Sequence, residues 1–289
     1  MEDSFSEWMQ ERIAHINPLL VEHFSAERFS LAPHMTEATI YPLQTGGKRI
    51  RPLFVYAGAL AVGASEEQLT YCDMVAKAIE FIHTYSLVHD DLPCMDDDDI
   101  RRGKPTVHKM FSEGSAVLVG DALLTEAFVS CADLPSSILK DILPLLGESS
   151  SISGMIGGQS LDIGFESEIT TVEELQQLHL AKTGALIRCA VEMGAICAGA
   201  TLEQREMLRA YGSLVGLAFQ LADDVLDAEE DAEKNEQGDG PPNFVAFLGI
   251  EKTAQRAQEC VHKALALVEK FEDASRLEQL ARFTVERKF

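Results

Sequence analysis

Apolar residues in this chain recur every three or four positions, in "LFVYAGALAVGA" (53–64), "YCDMVAKAIEFIHTYSLVHD" (71–90), "AVLVGDALLTEAFVSCA" (116–132), "LIRCAVEMGAICAGA" (186–200) and "MLRAYGSLVGLAFQLADDVLD" (207–227). No segment alternates cleanly with the period of two that a half-buried strand requires, so the pattern restricts the chain to helices packed on helices. Turn signals are expected to break them at "TGGKRIRP" (45–52), "DLPS" (133–136), "GG" (157–158) and "GDGPP" (238–242). Pro52 is suited to a helix start. No long low-complexity linker divides the sequence and no short repeat organises it. The expectation is one all-α domain over residues 1–289, in which a composition 46% apolar is ample for a core.

Two groups of carboxylates lie more than 120 residues apart on these helices. The stretch "HDDLPCMDDDDIRRGKP" (89–105) holds six aspartates and three cationic side chains in seventeen residues. Asp90, Asp91, Asp96, Asp97, Asp98 and Asp99 repel one another unless a divalent cation or a metal-bound phosphate lies between them. Asp90 and Asp96 would fall on different sides of a straight helix. Pro93 lacks the amide proton a helix interior requires, so the helix ends or deforms there, which can aim Asp96 back toward Asp90. In "FQLADDVLDAEED" (219–231), Asp223, Asp224 and Asp227 share an arc of roughly 100°, with Gln220 and Asp231 inside it. A solvated acidic face would account for this cluster alone. The apolar run "LVGLAFQLA" leading into it implies burial instead, and carboxylates leaving a buried helix need a counter-charge. Such hard oxygen ligands suit magnesium completed by water and substrate phosphates. The EF-hand spacing is absent, which disfavours calcium storage.

The formal charge of −23 argues against nucleic-acid or anionic-membrane partners. An anionic substrate must therefore enter through a local basic or metal-loaded site. Cations gather at Lys48, Arg49 and Arg51 in "GGKRIRP", at Arg101, Arg102 and Lys104 in "RRGKP", and at Lys182 in "AKTG", each beside glycine or at a turn. Neutralising the acid clusters in cis is the plainer role for the arginine pair. An acid-plus-metal site and a purely basic one together imply two phosphorylated substrates. The six cysteines Cys72, Cys94, Cys131, Cys189, Cys197 and Cys260 have no C-x-x-C spacing, so neither structural zinc nor a disulfide framework is expected. The opening "MEDSFSEWMQERIAHINPLL" lacks the apolar core of a secretory signal, and no apolar run approaches the about 20 residues that span a bilayer. The expected location is cytoplasmic.

The stretches "GGKRIRP", "EFIHTYSLVHDDLPCMDDDDIRRGKPT", "GDALLTEAF", "GGQSLDI", "KTGALI" and "FQLADDVLD" resemble, in order and approximate spacing, those of the trans-type short-chain polyprenyl diphosphate synthases, the family of farnesyl and geranylgeranyl diphosphate synthases. The resemblance implies an isoprenoid-synthase helical bundle around a central apolar cavity and a homodimer. It implies magnesium as cofactor, three ions with bound allylic diphosphate, and two substrates, isopentenyl diphosphate and dimethylallyl or geranyl diphosphate. Asp90, Asp96, Asp223 and Asp227 would be the metal ligands. Arg101 and Lys182 would contact the allylic diphosphate, while Lys48, Arg51, His83 and Arg102 would receive isopentenyl diphosphate. Thr183 and Gln220 would place oxygen dipoles near the reacting carbons. The implied reaction ionises the allylic C–O bond, lets the isopentenyl double bond attack the cation, and loses a proton to the departing diphosphate.

In the resembled family a bulky residue just before the first aspartate motif blocks the pocket floor. Tyr85, five residues before Asp90, together with the interval "LPCM", resembles bacterial farnesyl diphosphate synthases, with a C20 product as the alternative. His83 and Tyr85 would also serve simply as core residues. A non-catalytic regulatory subunit of the same fold is a second alternative, opposed by two intact aspartate motifs. A cyclase or head-to-head synthase is opposed by the basic stretches. The chain departs from the family after the second motif, where Gln237 and Pro241 stand at two expected lysine positions and Lys234 is the only lysine between Asp224 and Glu251. Losing two cations near a diphosphate weakens its hold by on the order of 1.5–3 kcal/mol per charged hydrogen bond, so Lys234 is expected to replace one of them. Lys234→Ala should then cut turnover sharply in steady-state assays, and an unchanged allylic KM and kcat would sink this assignment.

Overall fold

The computed structural model describes residues 4–25, 27–234 and 242–286, the side chains of 231–234 excepted. Helices dominate, in the order α1 (Phe5–Glu22), α2 (Pro33–Gln44), α3 (Ile50–Ala61), α4 (Glu66–Asp90), α5 (Val107–Met110), α6 (Glu113–Val129), α7 (Ser136–Ser150), α8 (Met155–Asp162), α9 (Val172–His179), α10 (Ala185–Cys197), α11 (Leu202–Lys234), α12 (Phe244–Leu248), α13 (Ile250–Val268) and α14 (Ser275–Glu286). A π-helical turn, Leu180–Gly184, joins α9 to α10. Strand structure among the described residues is confined to Ile100–Arg101 paired antiparallel with Lys104–Pro105. The all-helical reading of the periodicity therefore holds, each of its five apolar segments overlapping a helix. Capping boxes start α1 (Ser4 with Glu7), α4 (Ser65 with Gln68) and α9 (Thr171 with Glu174) by satisfying orphan amides at the helix ends.

The core is continuous from Trp8 to Ala281. At its centre lies α10, every residue of which except Arg188 is buried, flanked by α3, α4, α7 and α11. Glycine allows this helix to touch α3 backbone to backbone. A Cβ at Gly194 would come within 1.9 Å of the Val55 carbonyl oxygen, and one at Gly58 within 2.3 Å of that of Val191. The single charge on the buried face of α10, Glu192, is met by two arginines of α11, Arg209 Nη2 at 2.6 Å and Arg205 Nη2 at 3.3 Å. A buried carboxylate paired in this way avoids the penalty of an isolated charge.

One expected turn is not a turn. Gly157 and Gly158 lie inside α8, and a Cβ at Gly158 would meet the backbone nitrogen of Lys182 at 2.2 Å, so the glycine serves close approach of α8 to the π turn. Positions 238–241 of "GDGPP", with Gln237 and Pro241, lie outside the described residues, as does the side chain of Lys234. No helix among the described residues is long and apolar enough to cross a membrane.

Filling the α3–α10 contact should be costly. Gly194→Val is expected to destabilise the fold by at least about 2 kcal/mol in urea unfolding. Gly147→Ala, in α7 with nothing within 4 Å of the new methyl, should instead stabilise by about 0.5–1 kcal/mol.

Candidate active site

Two adjoining cavities open between α4, the π turn and the elements around them. The first, about 530 Å³, is mainly apolar and is bounded by Tyr85, His89, Asp90, Val117, Met155, Gln159 and Lys182. The second, about 620 Å³, is walled by Lys48, Arg49, Arg51, Glu80, Arg101, Arg102 and Asp223. Arg51, His83, Leu87 and Thr183 line both and so form the partition between them.

The acid side begins where α4 ends. Beyond Asp90 the chain turns through Pro93 and returns, so that the Asp96 amide donates to the Asp90 carbonyl at 2.9 Å. The helix break expected at Pro93 thus brings Asp96 back to Asp90. Asp97 completes the turn with φ 54°. Burial pushes the Asp90 carboxyl up to about 6, with Lys182 opposing and Asp96 reinforcing the shift. Asp91 is buried and spoken for, accepting from Arg101 Nε at 2.6 Å, while Asp98 accepts from Arg101 Nη2 at 3.2 Å. On α11, Asp223 faces the basic cavity, whereas Asp224 turns away and accepts the Phe244 amide at 2.6 Å. Burial pushes Asp224 up to about 6 as well, against that hydrogen bond. Asp96 and Asp227 are exposed, Gln220 is half-buried, and none of the three belongs to either cavity wall.

The π turn places consecutive residues Lys182 and Thr183 in the cavity wall, a common use of such a widened turn. Lys182 Nζ is held by Asp162 Oδ2 of α8 at 2.5 Å. On the basic side, burial pulls Arg51 down to about 10, still a cation at neutral pH. Burial and the neighbouring Arg51 and Arg102 hold His83 well below the usual imidazole range, so its ring is neutral. Tyr85 is 5% exposed, stacks edge-on against His89 at 5.8 Å between centroids, and has a buried hydroxyl with no partner among the described residues.

Several residues of the site escaped sequence reasoning. Asp162 anchors Lys182, and Gln159, one helical turn before it on the same face, offers both amide atoms unpartnered among the described residues. The i, i+3 spacing of Gln159 and Asp162 in "GGQSLDI" is the available signal. His179, at the end of α9, is half-buried, with both ring nitrogens shielded from solvent and unpartnered among the described residues, and desolvation pushes it down to about 4. Carboxylate oxygens of Asp97 and Asp99 and a ring nitrogen of His108 also lie within 4.8 Å of one another, although Lys109 Nζ already pairs with Asp99 at 2.7 Å.

The donor set fits magnesium. Asp90 is a buried carboxyl displaced toward neutrality with a second carboxylate beside it, a negative charge that a hard divalent cation neutralises. Asp223, on the wall of the basic cavity, offers a further hard oxygen, and exposed Asp227 lies one helical turn further along α11.

A helical bundle with two partitioned cavities, one apolar and one basic, has the all-α isoprenoid-synthase fold, matching the solved structure of a farnesyl/geranylfarnesyl (FPP/GFPP) synthase from Zymomonas mobilis at TM-score 0.86 and 37% identity over 97% of this chain and 98% of that one. A geranyltransferase from Helicobacter pylori, solved with magnesium and isoprenyl diphosphate, matches at TM-score 0.80 and 31% identity over 99% and 97%. The farnesyl diphosphate synthase of Haemophilus influenzae is 38% identical over 98% of this chain and 99% of its own. Residues 32–283 match the polyprenyl synthetase family, and the chain belongs to it.

The raised carboxyl has a measurable cost. A folded-state value of about 6, above the ordinary aspartate value of 3.8, means that ionised Asp90 opposes folding. Its contribution is most favourable below the unfolded pKa and is lost as pH rises through about 6. In EDTA, Asp90→Asn should be more stable than wild type at pH 7.5 by about 1–3 kcal/mol, and the gap should close as pH falls toward 4. An equal gap at both pH values would show that Asp90 is not buried as described.

Proposed function

We propose that the protein is a prenyltransferase that condenses isopentenyl diphosphate with dimethylallyl or geranyl diphosphate to give farnesyl diphosphate. The observation that carries this reading is the partition: an apolar cavity with an acidic rim and a basic cavity share the wall of Arg51, His83, Leu87 and Thr183. A prenyl chain fits the first, with its diphosphate toward Asp90 and Lys182. The second diphosphate fits Lys48, Arg51, Arg102 and neutral His83, which can donate a hydrogen bond.

Asp90, Asp96, Asp223 and Asp227 are the residues that would hold magnesium, three ions with the allylic diphosphate bound. When bound it supplies the positive charge that lets a diphosphate leave carbon. The chain's own cations are fixed in advance, Lys182 by Asp162 and Arg101 by Asp91 and Asp98, so they need no reorganisation as charge develops. Thr183 stands in the wall between the substrates, and Gln220 on α11, half-buried outside both cavity walls, would have to turn its amide oxygen inward to act near the reacting carbons. The apolar lining keeps water from the allylic cation. The shared wall contains no carboxylate, and its one histidine is depressed well below neutrality, which supports loss of the final proton to the departing diphosphate.

Tyr85 forms the floor that limits the product to C15. The unit is a single domain over residues 1–289 acting in the cytoplasm. Exposed Met110 and Leu118, 54% and 56% accessible, support a homodimer that covers the neighbourhood of α6.

Incubation with magnesium, isopentenyl diphosphate and either starter, with products sized by chromatography, should yield C15. Tyr85→Ala should lengthen the product to C20 or beyond. Tyr85→Phe should leave it at C15, because the hydroxyl has no partner to lose among the described residues. Asp223→Asn should lower kcat/KM by about 10²-fold or more. A C20 product from the wild type would overturn the role of Tyr85, and no product from either starter would favour a non-catalytic subunit.

A further inference from the structure

The basic cavity contains a carboxylate that the proposed reaction does not use. Glu80, one helical turn before His83 on α4, is 1% exposed. Its Oε1 accepts from Arg49 Nη1 at 2.8 Å, while its Oε2 is buried without a partner among the described residues. Arg49 is committed elsewhere as well. It is 3% exposed with φ 47°, and it donates from Nε to Asn17 Oδ1 at 2.9 Å and from Nη2 to the Leu43 carbonyl. Those contacts tie the basic loop to α1, α2 and α4 and leave Arg49 no room to follow a ligand.

The other guanidiniums are packed closely too. Arg102 donates to the Gly46 carbonyl, and its Nη1 lies 2.6 Å from where Gly47 would carry a Cβ. Arg51 has a buried Nε without a partner among the described residues, complementary to the orphan oxygen of Glu80 in the same cavity. The charge of Glu80 acts on both Arg51 and Arg102, favouring their cationic forms. A carboxylate at the base of an anion site works against the anion it is meant to receive. Without it, however, three guanidiniums gathered around one cavity, Arg49 buried and Arg51 half-buried among them, would repel one another in the absence of ligand.

We propose that Glu80 is the resident counter-ion of the basic cavity, a positioning residue that holds Arg49, Arg51 and Arg102 together before a diphosphate arrives and so sets the cavity's affinity for it. The inference deepens the reading of this cavity as a diphosphate site and rests on it.

Glu80→Gln keeps the shape and an acceptor for Arg49 while removing the charge. In EDTA, with no metal to load the acidic side, the variant should melt below wild type, and the gap should close when millimolar inorganic diphosphate is added. Calorimetry should find diphosphate bound about tenfold more tightly than by wild type. In steady state the KM for isopentenyl diphosphate should fall by a similar factor while that of the allylic substrate stays within about twofold. Glu80→Asp, which retains the charge, should keep nearly the wild-type diphosphate affinity. An equal loss of melting temperature with and without diphosphate, together with unchanged affinity, would mean a purely structural glutamate and overturn the proposal. If Glu80→Gln cannot be isolated alone, refolding decides: recovery only with diphosphate present supports the proposal, and failure in both conditions overturns it. Wild-type protein that binds no inorganic diphosphate in EDTA would overturn the reading of the cavity itself, a result that the variant comparison cannot mimic.

Discussion

Backbone contact between α10 and α3 at Gly194 and Gly58 sets the frame on which the rest of the site hangs. The buried helix α10 begins directly after the π turn carrying Lys182 and Thr183, and α3 begins within the basic loop. With those two helices in contact, the basic residues and the π turn are brought to one end of the bundle. Packing of α4 and α11 on the same central helix brings the two aspartate segments to that end as well. Residues separated by more than 120 positions thus become neighbours largely through helix packing remote from the polar chemistry they carry.

The charges at that end are held in states that oppose the fold. Asp90 is displaced upward by burial and Arg51 downward, both toward neutrality. Elsewhere the protein pairs its buried charges thoroughly, as with Glu192 between Arg205 and Arg209. The contrast separates structural from functional electrostatics: where the fold needs a buried charge it supplies the partner, and where a ligand is to supply the partner the charge is left displaced. Burial raises Asp91 and Asp224 as well, yet Arg101 and the Phe244 amide meet them, so the fold supplies each with a partner although each sits beside an aspartate assigned to a ligand.

This is also where reading from sequence reached its limit. Helical periodicity located the five principal helices, and the missing amide of Pro93 was enough to anticipate that Asp96 returns to Asp90. Two glycines in a row were less informative. Gly157 and Gly158 carry the same composition whether they make a turn or a helix face pressed against another backbone, and only the position of Lys182 decides. The π turn has no compositional mark at all. Partners such as Asp162 for Lys182 and Glu80 for Arg49 are 20 and 31 residues away, so their pairing depends on helix packing that no local pattern encodes.

In the proposed reaction the two halves of the site meet the same problem, a diphosphate to be held, with different kinds of charge, and the reaction needs that difference. A diphosphate that must stay attached to its carbon suits guanidiniums partly balanced by a buried carboxylate, because such a site holds the anion with less positive charge to draw electron density from the ester oxygen. A diphosphate that must leave gains negative charge, which cations already locked in place, with metal ions that the carboxylates would hold, offset at the leaving group. The partition of Arg51, His83, Leu87 and Thr183 keeps the two environments separate while leaving one wall through which carbon can meet carbon. Direction in the condensation then follows from which cavity holds which diphosphate, without any nucleophilic side chain.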